Sequence, residues 1–319
     1  MKQKLLFLLV AVLMSASAWA EVGDEFTADG LKYKVTGEAP KTVELTRYDG
    51  EKPMGDLVIP VSVGGYSVTS IGDGAFYDCS GLTSITIPNG VTSIGENVFY
   101  RCYGLTSIEI PNSVTSIGKM AFWCCQSLTS IVIPNSVTRI GFYAFSGCKG
   151  LTSIEIPNSV TSIRSGEFQG CSGLTSIEIP NSVIAIGTDA FSGCTGLTSI
   201  KIPNGMTYID DWAFSGCSGL TDIYCYANPE DLTWKEDVYA FKSNKETLCH
   251  VEADKLSTYN EKFPQVNVTF VGDLETNAIE NITADTTDGA WYTLTGVKLD
   301  GEPTAPGIYV KDGRKVVVK

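Results

Sequence analysis

The chain has 319 residues, of which 43% are hydrophobic and 18% charged. That is too apolar for a disordered tail and long enough for one large or two small cores. With 23 Lys and Arg against 36 Asp and Glu it carries a net charge of −13, which excludes nucleic-acid phosphates and anionic membrane surfaces as partners of the whole chain. Its one histidine, His250, rules out a multi-histidine metal site.

Lys2 and Lys4 precede an apolar run from Leu5 to Met14, and Ala18-Trp19-Ala20 offers small residues where a signal peptidase cuts. Residues 1–20 therefore read as a secretory signal peptide, and no segment is long and apolar enough to predict a transmembrane helix. Residues 21–56 read as an amino-terminal β cap, in which Leu31–Val35 and Val43–Thr46 alternate as strands.

From residue 57 to 225 one unit recurs every 23 residues, for about seven coils. Phe76, Phe99, Phe122, Phe145, Phe168, Phe191 and Phe214 share a column, and a cysteine follows each by three positions, from Cys79 to Cys217. Leucines from Leu82 to Leu220 and prolines from Pro88 to Pro203 keep the same period. A fixed period of this length means a solenoid. In Leu105–Ile110 the apolar Ile108 and Ile110 alternate with polar residues, as in a half-buried strand, and Pro111 ends it. Val114 and Ile117 form a second extended piece, Gly118 turns the chain, and Met120-Ala121-Phe122 is expected as a short helical or 3₁₀ turn. The first coil carries a five-residue insertion around Gly64-Gly65-Tyr66. The fold class is thus mainly β, with stacked coils that bury what no single coil can bury.

Ile-Pro, Val-x-x-Ile-Gly and Ala-Phe-x-x-Cys at this period resemble the leucine-rich repeats of the Bacteroides surface-protein type, also called the Treponema pallidum type. The usual asparagine of other leucine-rich repeats is replaced by Ser113, Ser136, Ser159 and Ser182, with Gly90 and Gly205 at the ends. Residues 226–274 resemble the closing cap of that family, with Cys249–Phe263 as its half-coil. In residues 275–319, Asp312-Gly313 between apolar runs predicts a hairpin. Tyr-x-Leu-x-Gly, Pro-Gly-Ile-Tyr and a basic valine-rich end look like a type IX secretion sorting domain. That resemblance implies export across an outer membrane. A small β module that sorts nothing is the alternative.

The cysteine column reads as core thiols, with disulfides between stacked coils as the alternative. Adjacent residues of a strand face opposite ways, so Cys249 and His250 do not make a nucleophile–base pair. Asp285–Gly289 lacks the spacing of a calcium loop, and Asp210-Asp211 is as fit to cap a turn as to bind a cation. No catalytic residue, metal site or cofactor is expected. Candidate binding positions lie where the repeat leaves residues variable. One column runs Thr86, Glu109, Val132, Glu155, Glu178, Lys201, beside Ser107, Ser130, Ser153 and Ser176. The other follows each Phe and is aromatic only at Tyr77, Tyr100 and Trp123, with Tyr103, Phe142 and Tyr143 nearby. This aromatic column suits recognition or packing against the insertion at Tyr66. Arg164 and Glu167 break the Gly and Ala columns of one coil and are placed to pair.

These features point to a secreted or cell-surface binding protein, and the resemblance implies adhesion to host matrix or mucosal glycoproteins or to other microbial surfaces. A structural spacer that binds nothing is the alternative. A glycan or peptide hydrolase would have to use Glu155 and Glu178, about 5 Å apart on neighbouring coils but without a pocket.

Overall fold

The computed structural model describes residues 21–235, 247–264, 266, 268–274, 291–292, 307–311 and 314–318. The expected signal peptide, Asp285–Gly289 and most of the sorting-domain motif lie outside the described residues.

The chain is a β solenoid whose coils stack in parallel, in register and 23 residues apart: Ser84 pairs with Ser107, Ser116 with Arg139 and Ser199 with Asp222. One ladder runs through Gly55–Val58, Leu82–Thr86 and Ser107–Glu109, continues as single bridges through Val132, Glu155 and Glu178, and resumes at Ser199–Ile202. The second ladder uses the short Val-x-x-Ile pieces such as Ser93–Ile94 and Ser116–Ile117. The insertion is a small antiparallel pairing of Ser62–Val63 with Tyr66–Ser67, which delays the first register so that Leu57 meets Ile85.

The interior is built of repeated columns. The seven phenylalanines are fully buried and stand in one file, neighbouring ring centroids 5.2–5.7 Å apart. Such offset stacks are a favoured aromatic geometry, and each ring removes a large apolar area from water. All ten cysteines are free thiols. From Cys102 to Cys217 each column thiol donates to the carbonyl of the phenylalanine one coil earlier, at 3.1–3.2 Å. That carbonyl also accepts the N–H of its own coil's cysteine, as Phe99 does from Cys102. The thiols therefore satisfy buried acceptors as well as fill space. Where an asparagine ladder would stand, Ser113, Ser136, Ser159 and Ser182 donate to Val91, Val114, Val137 and Val160 of the preceding coil.

The Met120–Cys125 segment is not the expected helical or 3₁₀ turn. Its N–H groups alternate: Met120, Phe122 and Cys124 donate to Phe142, Ala144 and Ser146 of the next coil, while Ala121, Trp123 and Cys125 donate three residues back. Half the donors thus leave the segment, so no run of local bonds propagates, and single β-turns stack as a third ladder. Met120 takes a left-handed φ of 53° to allow this.

One coil departs from the pattern. The repeat glycine donates its N–H to the isoleucine 24 residues earlier, as Gly118 does to Ile94 and Gly141 to Ile117. Arg164 stands in that column, and its N–H instead donates to the Glu167 carboxylate at 2.8 Å. The expected pairing thus uses the Arg164 backbone, while its guanidinium lies over the Phe142 ring. Here the second ladder is interrupted: among the described residues, one sheet ends at Arg139–Ile140 and the next begins at Ser162–Ile163.

The ends are closed differently. At the amino end β1 (Glu25–Ala28), β2 (Leu31–Glu38) and β3 (Lys41–Tyr48) pair antiparallel, and β3 pairs parallel with Tyr66–Ile71. At the carboxy end Leu248–Glu252 and Thr269–Leu274 extend the first ladder. A short helix α1 (Leu256–Lys262) buries Tyr259, whose hydroxyl donates to Ala227 at 2.6 Å. Beyond, Trp291–Tyr292, Gly307–Lys311 and Arg314–Val318 form a three-stranded antiparallel sheet that contains the expected hairpin.

Candidate functional site

The turn edge positions the aromatic column. Phe is buried at every coil, and in the first three coils the residue after it is an aromatic, exposed at Tyr77 and half-buried at Tyr100 and Trp123. The Tyr77 and Tyr100 rings stack at 4.7 Å and Tyr100 and Trp123 at 4.5 Å, within 10° of parallel. The Arg101 guanidinium lies 5.3 Å from the Tyr100 centroid and 5.5 Å from that of Trp123. Tyr77 is 45% exposed and Tyr103 38%. Burial raises the Tyr100 phenol's pKa, against Arg101. Tyr66 is buried against Phe26 of the amino-terminal cap, and the ladder rings stack on one another instead of on the insertion.

The residue two after each Phe has a left-handed backbone. It is glycine in the last four coils, Gly147, Gly170, Gly193 and Gly216, but Asp78, Arg101 and Cys124 in the three coils that carry the rings. A side chain there costs roughly 1–2 kcal/mol per residue. Positive φ at non-glycine residues also recurs in a neighbouring turn column, at Asn97, Met120, Tyr143, Asp189 and Trp212, so what singles out the first three coils is the loss of glycine from this column. The missing glycines were readable from the repeat and escaped the sequence reading. Toward the fourth coil the patch continues through exposed Phe142 and through Tyr143, whose ring lies so close over Gly166 that a Cβ there would stand 2.1 Å from it.

The structure therefore brings together Tyr77, Tyr100 and Trp123, with Tyr103 and Tyr143 on the same turn edge. Glu109, Glu155 and Glu178 stand elsewhere, on the strand face, where Glu155 and Glu178 are in-register neighbours beside a 73% exposed Val132. The threonines beside this strip are structural: Thr106, Thr152 and Thr175 donate their hydroxyls to the threonine carbonyl one coil earlier.

The remaining candidates resolve into structural contacts. Cys249 is buried and His250 faces the other side of its strand. Both His250 nitrogens meet carboxylates, Nδ1 to Asp273 at 2.9 Å and Nε2 to Asp222 at 3.0 Å, and the ring stacks on Tyr224. Asp222 and Asp273 were not anticipated; Asp222 replaces the serine of its column in the last regular coil, and Asp273 lies beyond the repeat. Asp210 accepts from Thr188 and pairs with Lys235 at 2.9 Å. Among the described residues no cluster of three or more His, Cys, Asp or Glu could hold a metal, and no helix is long and apolar enough to cross a membrane.

Solved structures similar to this chain include two bacterial leucine-rich repeat proteins. A leucine-rich repeat protein of T. pallidum is 33% identical, with a TM-score of 0.56, covering 62% of this chain and 91% of that one. A leucine-rich cell surface protein of Faecalibacterium prausnitzii is 36% identical, with a TM-score of 0.58, covering 66% of this chain and 57% of that one. No curated protein matches. The family described as BspA type leucine-rich repeat region matches residues 61–171 and 116–248. The 23-residue columns, the stacked coils and this match over more than half the sequence place the chain in the BspA-type leucine-rich repeat family.

Proposed function

We propose that this is a bacterial surface-exposed binding protein that engages proteins or glycoproteins through the turn edge of its first coils. The partners in this reading are host matrix or mucosal glycoproteins or the surfaces of other microbes. The observation that carries it is the Tyr77–Tyr100–Trp123 ladder, stacked along one edge with Tyr77 exposed and the other two rings half-buried, in the three coils whose turns lack the glycine of the later ones. Exposed aromatic clusters are a common signature of recognition surfaces. The cell-surface description of the F. prausnitzii relative supports the location, as does the signal-like segment at residues 1–20. We assign no catalysis, since carboxylates hold both His250 nitrogens and Cys249 is enclosed.

Solid-phase binding of the purified chain to immobilised matrix proteins and mucins tests the proposal. Saturable binding to at least one of them is expected. A flat, non-saturable signal on all of them would leave the spacer reading in its place.

A further inference from the structure

From the second coil onward the ladder's edge turns basic, in an acidic protein. The chain as a whole has 36 acids and 23 bases. From Asn97 to Gly170 the balance reverses, with bases Arg101, Lys119, Arg139, Lys149 and Arg164 against Glu109, Glu155 and Glu167. Glu109 and Glu155 face the strand side, and Glu167 is fully buried. Arg101, Lys119, Lys149 and Arg164 belong to the turn segments, the first three exposed, and none forms an ion pair with a carboxylate among the described residues. The exposed acids of the same edge are Asp73 and Glu96, and Asp78 beside Tyr77 pairs with Lys52. Burial raises the Cys124 thiol's pKa, and Arg101 and Lys149 oppose the rise from either side along the edge.

The ring geometry narrows the kind of partner. Tyr100 is covered by a ring on each face, Tyr77 and Trp123 on one face each, Arg101 lies over two of these rings, and Arg164 lies over Phe142. What this edge offers is ring edges, phenol hydroxyls and guanidinium N–H groups. A guanidinium laid on a ring is pre-oriented, and its N–H edge stays free to take a carboxylate with two hydrogen bonds.

Resting on the reading of the ladder as a binding surface, we propose that this edge docks an acidic polypeptide segment. Its carboxylates meet Arg101 and Lys149, and its apolar side chains lie along the Tyr77–Tyr100–Trp123 edge. The charge reversal also steers such a segment to this edge and away from the acidic strand face.

The test immobilises a random Glu–Tyr copolymer, with a Lys–Tyr copolymer and heparin as comparisons, and measures binding of the full chain. The Glu–Tyr copolymer should bind saturably and more weakly as salt is raised, because the contributing charges are exposed. Arg101→Gln with Lys149→Gln should weaken binding roughly fivefold or more without moving the melting temperature. Lys149→Glu alone, at an exposed position that tests charge without disturbing the rings, should weaken it as well. Equal capture by the Lys–Tyr copolymer, capture by heparin alone, or undiminished binding of the variants would overturn the inference. If matrix proteins bind and the Glu–Tyr copolymer does not, the binding surface stands and only its acidic partner falls.

Discussion

Glu167 occupies the alanine column between Ala144 and Ala190 and has no exposed surface. One carboxylate oxygen accepts the Arg164 N–H; the other, Oε1, is buried without a hydrogen bond among the described residues. Burial raises its pKa from the ordinary 4.5 to about 8, more than its bond to Arg164 lowers it. The folded chain thus keeps a proton that the unfolded chain releases near pH 4.5, so rising pH destabilises the fold between those two values. At about 1.4 kcal/mol per unit, the cost at pH 7 is about 3 kcal/mol. Glu167→Gln preserves shape and an acceptor but cannot ionise. Its melting temperature should match the wild type near pH 4 and exceed it by roughly 6–12 °C at pH 7, at about 2–4 °C per kcal/mol for a domain of this size. Thermal melts of both proteins from pH 4 to 8, followed by circular dichroism, measure the gap. Other titrating groups are common to both and cancel. Parallel profiles, or a wild type that gains on the variant as pH rises, would refute the reasoning.

Three further outcomes follow from the same geometry. Phe145→Ala, in the middle of the fully buried file, should cost about 3–5 kcal/mol in chemical unfolding, and a loss below about 1 kcal/mol would contradict the stacked core. In the native state a thiol reagent should find one half-exposed cysteine, Cys124, and after unfolding without reductant it should find all ten; fewer than about eight would mean that bridges form across the column. For His250, burial lowers the pKa but the bonds to Asp222 and Asp273 more than offset it, so the net shift is upward. The stabilisation from this tie is complete below the ordinary value of 6.5 and is lost as pH rises through the higher folded value. Since the chain has a single histidine, its ring-proton NMR titration needs no assignment, and a midpoint at or below 6.5 would contradict the tie.

The architecture was legible because a strict 23-residue period puts each side chain beside its own copy, so columns of Phe, Cys, Leu and Ile can only stack inward. The family resemblance put the serines after Pro-Asn in the place of the usual asparagine, and the structure makes them a hydrogen-bonded ladder. Periodicity failed where a backbone group's partner lies on another coil. The Met120–Cys125 turn looked locally helical, but its alternate donors belong to the next coil. Arg164 and Glu167 were visible as breaks in their columns. That they interrupt a sheet depends on the Arg164 N–H finding a carboxylate in place of the isoleucine carbonyl one coil back. The His250 tie was beyond reach, because His250 and Asp273 come from strands past the last regular coil, whose pairing with Asp222 no period predicts. The binding edge was half legible: Tyr77, Tyr100 and Trp123 stood out as a column, while the loss of glycine at residues 78, 101 and 124 was on the page and its meaning came only with the positive φ values.

The most direct test of the ladder's role replaces its three rings together. In the proposed reading, Tyr77→Ser, Tyr100→Ser and Trp123→Ser combined remove saturable binding to whichever immobilised matrix protein or mucin the wild type recognises, while the variant still melts cooperatively, because the phenylalanine core is untouched. Binding undiminished in that folded variant would place the recognition surface elsewhere on the solenoid.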